Sequence, residues 1–266
     1  MSFTRVTKQN PCPICRQAGL RGIDWCRVFA DGWAECMRVQ SNQPAKSGGW
    51  MHRLGDAPRR YLPPPPRFQP PTINATKLMR EWRAATAPAA LNDLAAVLGV
   101  STPSVTAVGA AWAAPHAAWA FPMCDGYGNV VGIRLRNDKG KFAVRGSRQG
   151  IFLADVTPAP TLFVCEGPTD TAAAVELGIF TVGRSNCCCG GPEIKVYAKS
   201  HRCKGVVVVA DNDKAGLDGA RKVGSELKLP FAIYVPPAKD IREFVGLGGT
   251  RAMIENTLKS TLWQNG

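Results

Sequence analysis

The sequence has no long hydrophobic run. No stretch approaches the ~18 apolar residues of a membrane span, and the opening MSFTRVTKQNPCPIC lacks the apolar core of a secretory signal peptide. A soluble, cytoplasmic protein with no membrane partner is expected. No internal repeat is present, so the chain is not an array of one stacked unit. No G-x-x-x-x-G-K-[ST] stretch occurs either, which excludes a recognisable ATP-driven helicase motor. Acid is in short supply: 20 Asp and Glu against 33 Lys and Arg leave a net charge of +13. Residues 1 to 80 hold thirteen basic and four acidic residues, the remainder twenty and sixteen. Basic charge concentrated in one segment points to a polyanion partner, with a solvated basic face as the alternative.

The 266 residues, 45% of them hydrophobic, are enough for one sizeable domain and something smaller. The chain divides by composition. Residues 1–55 form a small Cys-rich unit, and 56–76, DAPRRYLPPPPRFQPPTINAT, contain four consecutive prolines that favour an extended, semi-rigid linker. Residues 77–158 begin with helical apolar spacing broken at Pro88. From Trp119 they turn to strand-like runs split by Gly126, Gly128 and the turn at Asp138 to Gly140, which predicts antiparallel strands. In 159–266, the runs TLFVCEG, FTVG, GVVVVADND and FAIYVPP alternate with helix-compatible segments such as PTDTAAAVELGI and KAGLDGARKVGSEL. That rhythm predicts an α/β domain with a parallel sheet and crossover helices.

Ligands in such sheets bind at the carboxyl ends of the strands. Glu166 ends one predicted strand, Asp211 and Asp213 follow another, and Asp240 comes soon after a third. If the strands are neighbours the four acids converge, and clustered carboxylates at neutral pH call for a hard divalent cation, Mg²⁺ or Mn²⁺. Alternatively, an Asp-x-Asp pair after a strand caps the next helix. An EF-hand is excluded, because Ala215 and Lys222 stand where ligands are needed.

These residues resemble a known family. Glu166-Gly167 after an apolar strand, with Asp170 three residues beyond the glycine, then Asp211-x-Asp213-x-x-Gly216, resembles the TOPRIM domain of DnaG-type primases, topoisomerases and some nucleases. The resemblance covers about residues 160 to 245. It implies Glu166 as the acid or base at the reacting phosphate, with Asp211 and Asp213 binding Mg²⁺. Lys239-Asp240, in PPAKDIREF, resembles the Lys-Asp after the last core strand of many primase TOPRIM domains.

Ten cysteines in a cytosolic chain suggest metal ligation and burial before disulfides. Cys12-Pro-Ile-Cys15 is a C-x₂-C knuckle, and Cys26 and Cys36 follow. Four thiolates can close a tetrahedral Zn²⁺ site in a unit too small to fold on its own core. A redox C-x-x-C is the competing reading, and His52 is a possible substitute ligand. The arrangement resembles the zinc ribbon of phage- and plasmid-type primases. Cys187, Cys188 and Cys189, after a predicted strand, read as small-residue packing.

Arg134, Arg136, Lys139, Lys141, Arg145 and Arg148 cluster ahead of the acidic sheet, with Arg134 and Arg136 alternating onto one strand face. Their plain reading is a sheet edge blunted by charge. The segments FPMCDGYGNVVGIRLR and GSRQGIF resemble the primase subdomain whose basic surface guides template and nascent RNA, which implies a nucleic-acid role for these residues and Lys239. The expected protein is a DnaG-like primase of a mobile element, joining ribonucleoside triphosphates on single-stranded DNA, with any helicase acting in trans. A TOPRIM nuclease and a non-catalytic zinc-ribbon binder are the alternatives. A topoisomerase is not expected, since it needs a nucleophilic tyrosine on a further domain for which 266 residues leave no room.

Overall fold

A computed structural model describes residues 3–7, 9–17, 26–55, 72–186 and 189–266. The chain divides into two compact units, Met1–Phe68 and Gln69–Gly266. Most of the proline-rich segment, residues 56–71, lies outside the described residues, as do Cys187 and Cys188.

The first unit is built on an antiparallel sheet with its strands in chain order: β1 (Phe3–Arg5), β2 (Arg27–Phe29), β3 (Trp33–Cys36) and β4 (Trp50–Arg53). Strands this short bury little. The core is Val6, Ile14, Ala34 and Val39 around Cys12, Cys26 and Cys36, so the sulfurs occupy the place that aliphatic side chains fill in a larger domain. Glu35, buried in β3, is paired with Arg27 at 3.7 Å and accepts the Ser47 hydroxyl.

The second unit opens with α1 (Ala75–Ala85), α2 (Pro88–Leu98) and α3 (Thr102–Ala107). Asn74 caps α1 through the Lys77 amide, so the last residues of the expected linker are already helical. Pro88 stands at the start of α2, where its missing N–H costs nothing, and the expected break falls between these two helices. An antiparallel sheet follows: β5 (Ala111–Ala113), β6 (Ala118–Cys124), β7 (Val130–Asn137) and β8 (Gly140–Ala143). The two-residue alternation of its side chains assigns the faces. Ala118, Ala120, Ile133 and Leu135 pack against Ala75 and Met79 of α1, while Phe121 and Met123 point the other way, toward Leu94 and Leu98 of α2.

The second sheet contains β9 (Phe152–Leu153), β10 (Thr161–Glu166), β11 (Thr181–Arg184), β12 (Gly205–Val209) and β13 (Phe231–Tyr234), in the spatial order β13-β12-β10-β11-β9. Four strands are parallel, as the apolar runs predict. The fifth, β9, pairs antiparallel with β11, so the sheet is mixed at one edge. Ile151 beside it exchanges both backbone hydrogen bonds with Cys124 of β6, at 2.7 and 2.8 Å, and joins the two sheets.

Five helices, α4 (Pro168–Glu176), α5 (Gly191–Ser200), α6 (Lys214–Glu226), α7 (Ile241–Gly246) and α8 (Arg251–Lys259), cover the mixed sheet. Leu162, Val164, Val206 and Val208 pack with Ile194 of α5 and Val223 of α6. Their neighbours Phe163, Cys165, Val207 and Val209 pack with Ala173 of α4, Phe244 of α7 and Ile254 of α8. Apolar residues face both ways, which is why GVVVV is buried without alternation. From β10 the chain passes through α4 to β11 on one side; from β12 it passes through α6 to β13 on the other. Between the carboxyl ends of β10 and β12 lies the switch point at which open α/β sheets bind ligands.

Candidate functional site

In the first unit, one ligand atom from each of Cys12, Cys15, Cys26 and Cys36 lies within 4.8 Å of the others. Among the described residues this is the one group of three or more metal-ligating side chains close enough to hold an ion. Backbone amides converge on the sulfurs: Met37 donates to Cys26 at 3.5 Å, and Arg38 and Val39 donate to Cys36 at 3.4 and 3.3 Å. The Arg38 guanidinium reaches Cys15 and Cys26, both at 3.6 Å. The Cys12 thiol is held low by hydrogen bonds from Cys26 and Cys36, whereas Cys36 is pushed up to about 11, chiefly by Cys12. Crowded thiols sharing protons this way are matched to a soft, tetrahedral cation, and Zn²⁺ fits the donor set. His52 is engaged elsewhere, its Nε2 2.9 Å from the Val39 carbonyl oxygen, and is not among the ligands.

In the second unit, Glu166 ends β10 and Asp211 follows β12, one on each side of the switch point. The chain turns sharply after each. Gly167 has φ +88°, a left-handed conformation that glycine adopts without strain, and releases the chain from β10 into α4. At Gly216 a Cβ would stand 2.5 Å from the Asp211 carbonyl oxygen, so the first turn of α6 rests directly on the backbone of Asp211. This is the reason for glycine in D-x-D-x-x-G.

Two of the four predicted Mg²⁺ ligands serve their own helices. Asp213 caps α6 by accepting from the Gly216 amide at 2.7 Å, and Asp240 caps α7 by accepting from Glu243 at 2.8 Å. The capping alternative is thus realised for both. The carboxylates are not drawn into a coordination group as the cysteines are, although they share one electrostatic environment. Burial pushes Asp211 up to about 6, and Glu166, Asp240 and Asp213 push the same way. Asp170, in the first turn of α4 and 8% exposed, is pushed up to about 7 by burial, Asp240 and Asp211. A divalent cation among these carboxyls would offset the charge by which they raise one another.

Several groups beside these acids escape sequence reasoning. Arg184 is fully buried and pairs with Glu166 at 3.9 Å; the two are register partners on adjacent strands, and the signal was a charged residue closing the apolar FTVG run. Arg242 pairs with Asp240 at 3.7 Å. Asp170 follows the Glu166-Gly167 motif, but only its burial reveals its electrostatic link to Asp211.

The basic residues divide. Arg134, Arg136 and Lys141 share one face, Lys141 standing opposite Arg136 in the ladder between β7 and β8. Arg134 donates to Gln149 at 3.2 Å and to the Ser185 carbonyl at 3.4 Å, and Arg136 donates to the Thr169 hydroxyl at 2.7 Å. Both therefore reach the carboxyl end of the mixed sheet. Lys141 favours the ionised forms of Asp170 and Asp211. Arg145 is exposed, and Arg148 pairs with Asp125 at 4.0 Å. Lys239 is exposed, and its backbone carbonyl accepts from the Asn212 amide at 2.8 Å, tying the loop after β12 to the loop before α7. Cys189 is exposed.

No family model matches the chain, and no curated protein matches it. Solved structures resemble its fold. A DnaG primase catalytic domain bound to ssDNA is 15% identical with a TM-score of 0.56, over 71% of this chain and 78% of that one. The Escherichia coli primase catalytic core is 14% identical with a TM-score of 0.54, over the same 71% and 78%. The RNA polymerase domain of Mycobacterium tuberculosis DnaG, in complex with a double-stranded DNA oligomer with a 6-nucleotide overhang, is 14% identical with a TM-score of 0.52, again over 71% and 78%. The likeness is one of fold: an α/β architecture of several sheets and helices, similar to that of DnaG primases.

Proposed function

We propose that the protein is a primase-like nucleotidyltransferase that makes short RNA primers on single-stranded DNA for a mobile element. The observation that carries this reading is the facing of two sets of groups. Glu166, Asp211 and Asp213 stand at the carboxyl ends of adjacent strands, and Arg134 and Arg136 reach the same end from the antiparallel sheet. Extending an RNA strand requires a 3′-hydroxyl to lose its proton while attacking the α-phosphate of a ribonucleoside triphosphate, and requires pyrophosphate to leave. Glu166, oriented by Arg184, is the acid or base at the reacting phosphate. Asp211, Asp213 and Asp240 would hold Mg²⁺, which supplies charge neutralisation on the phosphates and activation of the hydroxyl. Arg134, Arg136 and Lys141 take phosphate oxygens, as Arg145, Arg148 and Lys239 do farther out, with affinity but no sequence preference. The cysteine cluster would hold Zn²⁺ and keep a basic template-binding unit, residues 1–55, folded; 56–76 is the linker, 77–158 the basic subdomain and 159–266 the catalytic domain.

The test is to incubate the protein with single-stranded DNA, labelled ribonucleotides and Mg²⁺. Short oligoribonucleotides are expected. Shortened template without new RNA would instead identify a nuclease using the same acids, and binding with neither product would identify a non-catalytic binder.

A further inference from the structure

The antiparallel sheet and α2 border an open cavity of about 590 Å³ whose apolar part no step above uses. Its walls are apolar and aromatic: Trp112, Trp119 and Phe121 from the sheet, with Leu94, Val97 and Leu98 from α2. Trp112 and Trp119 meet edge to face, their ring centroids 5.5 Å apart at 68°. Trp112 remains 37% exposed and Val97 83% exposed, so the aromatic surface is open to a ligand. At one end the lining changes character to Arg136, Arg242 and Thr169. These groups adjoin the acidic crevice, since Arg136 is bonded to Thr169, the neighbour of Asp170, and Arg242 is paired with Asp240. Asp93, Asn137 and Asp138 complete the polar part of the lining and offer hydrogen-bonding groups.

A flat aromatic ligand with an anionic tail matches this lining, and the volume lies within the roughly 300–1,000 Å³ typical of small-ligand sites. We infer that the cavity between α2 and the antiparallel sheet receives the base of a nucleotide, stacked on Trp112 with Trp119 at its edge, with its phosphates directed past Arg136 and Arg242 toward the acidic crevice. The inference rests on the nucleotidyltransferase reading and adds to it the place where the base is held. Stacking on an aromatic ring tolerates any base, so this pocket supplies affinity and alignment more than discrimination.

Calorimetric titration of the full chain with ATP, with inorganic triphosphate and with a short dT oligonucleotide, in Mg²⁺ and without turnover, tests it. Trp112→Ala should weaken ATP about tenfold and leave inorganic triphosphate unchanged, because the base alone loses its partner. Val97→Glu, at an exposed position that costs the fold little, should weaken ATP through charge, and Val97→Lys should not. If Trp112→Ala weakens the oligonucleotide and spares ATP, the occupant is a base of the strand, the same chemistry from another source. If wild-type affinities persist for both ligands in folded Trp112→Ala and Val97→Glu proteins, the inference is overturned while the proposed function stands. A wild-type protein that binds neither ATP nor the oligonucleotide overturns both.

Discussion

The four cysteines and the acidic crevice present the same problem, several anionic ligands around one point, with opposite outcomes. The thiols lie within 4.8 Å of one another, whereas the carboxylates share a crevice without forming such a group. The difference is one of proton affinity. A thiol holds its proton more tightly than a carboxyl does, so Cys26 and Cys36 can donate to Cys12, which is held low, while they accept hydrogen bonds from the Met37, Arg38 and Val39 amides. Carboxyls are normally ionised at that pH and repel. Each of these has found another stabiliser: Arg184 for Glu166, a helix N-terminus for Asp213 and for Asp240. At Asp170, burial and the neighbouring Asp240 and Asp211 outweigh Arg242 and Lys141, and the group is pushed toward its protonated form.

The sharpest way to break this contrast is to remove the metals. Stripping zinc with a chelator, or changing Cys15→Ala, should unfold the first unit, since zinc binding contributes on the order of 10 kcal/mol to such folds. Mg²⁺ removal should leave the second unit folded. Circular dichroism and metal analysis check both, and a purified protein without zinc that is fully folded would contradict the first half.

Glu166→Gln should lower primer synthesis at least ~100-fold, because loss of acid–base catalysis is of that size, and should lower the melting temperature, because the buried Arg184 loses its charge partner. Steady-state product formation measures it.

A finer test uses Asp170. Its folded-state pKa, about 7, lies above the ordinary 3.8, so the folded protein binds the extra proton in that window. Stability from this group is present at low pH and lost as pH rises from 3.8 to about 7. Asp170→Asn should therefore stabilise the Mg²⁺-free protein at pH 8 by roughly 2–4 kcal/mol, and Mg²⁺ should narrow the gap. Denaturant melts at pH 5 and pH 8 give the comparison.

The smallest effect separates the two duties of Asp213. Asp213→Asn keeps the cap and should melt like wild type while losing activity; Asp213→Ala loses both, at about 1 kcal/mol of stability. Equal melting of the two variants would remove the cap from the account.

What was legible in the sequence followed local periodicity. The buried GVVVV run, the glycine of each acidic motif and the cysteine spacing are short-range patterns, and each has a counterpart in the α/β fold or the sulfur cluster. Long-range partners were not legible. The two-residue β9 has too few residues to carry a pattern, and its antiparallel pairing with β11 depends on the exchange between Ile151 and Cys124. Arg184 is buried because register sets it beside Glu166, and the aromatic cavity exists only once α2 lies across the sheet.

If the acids at the switch point hold a catalytic cation, Asp211→Asn should disable them, because the amide keeps the shape and removes the charge. Primer synthesis and thermal melting should be measured together, with and without Mg²⁺. The variant should make no primer, melt at or above the wild-type temperature without Mg²⁺, and show a smaller Mg²⁺-induced rise. Full primer synthesis by Asp211→Asn would contradict a catalytic cation at these acids.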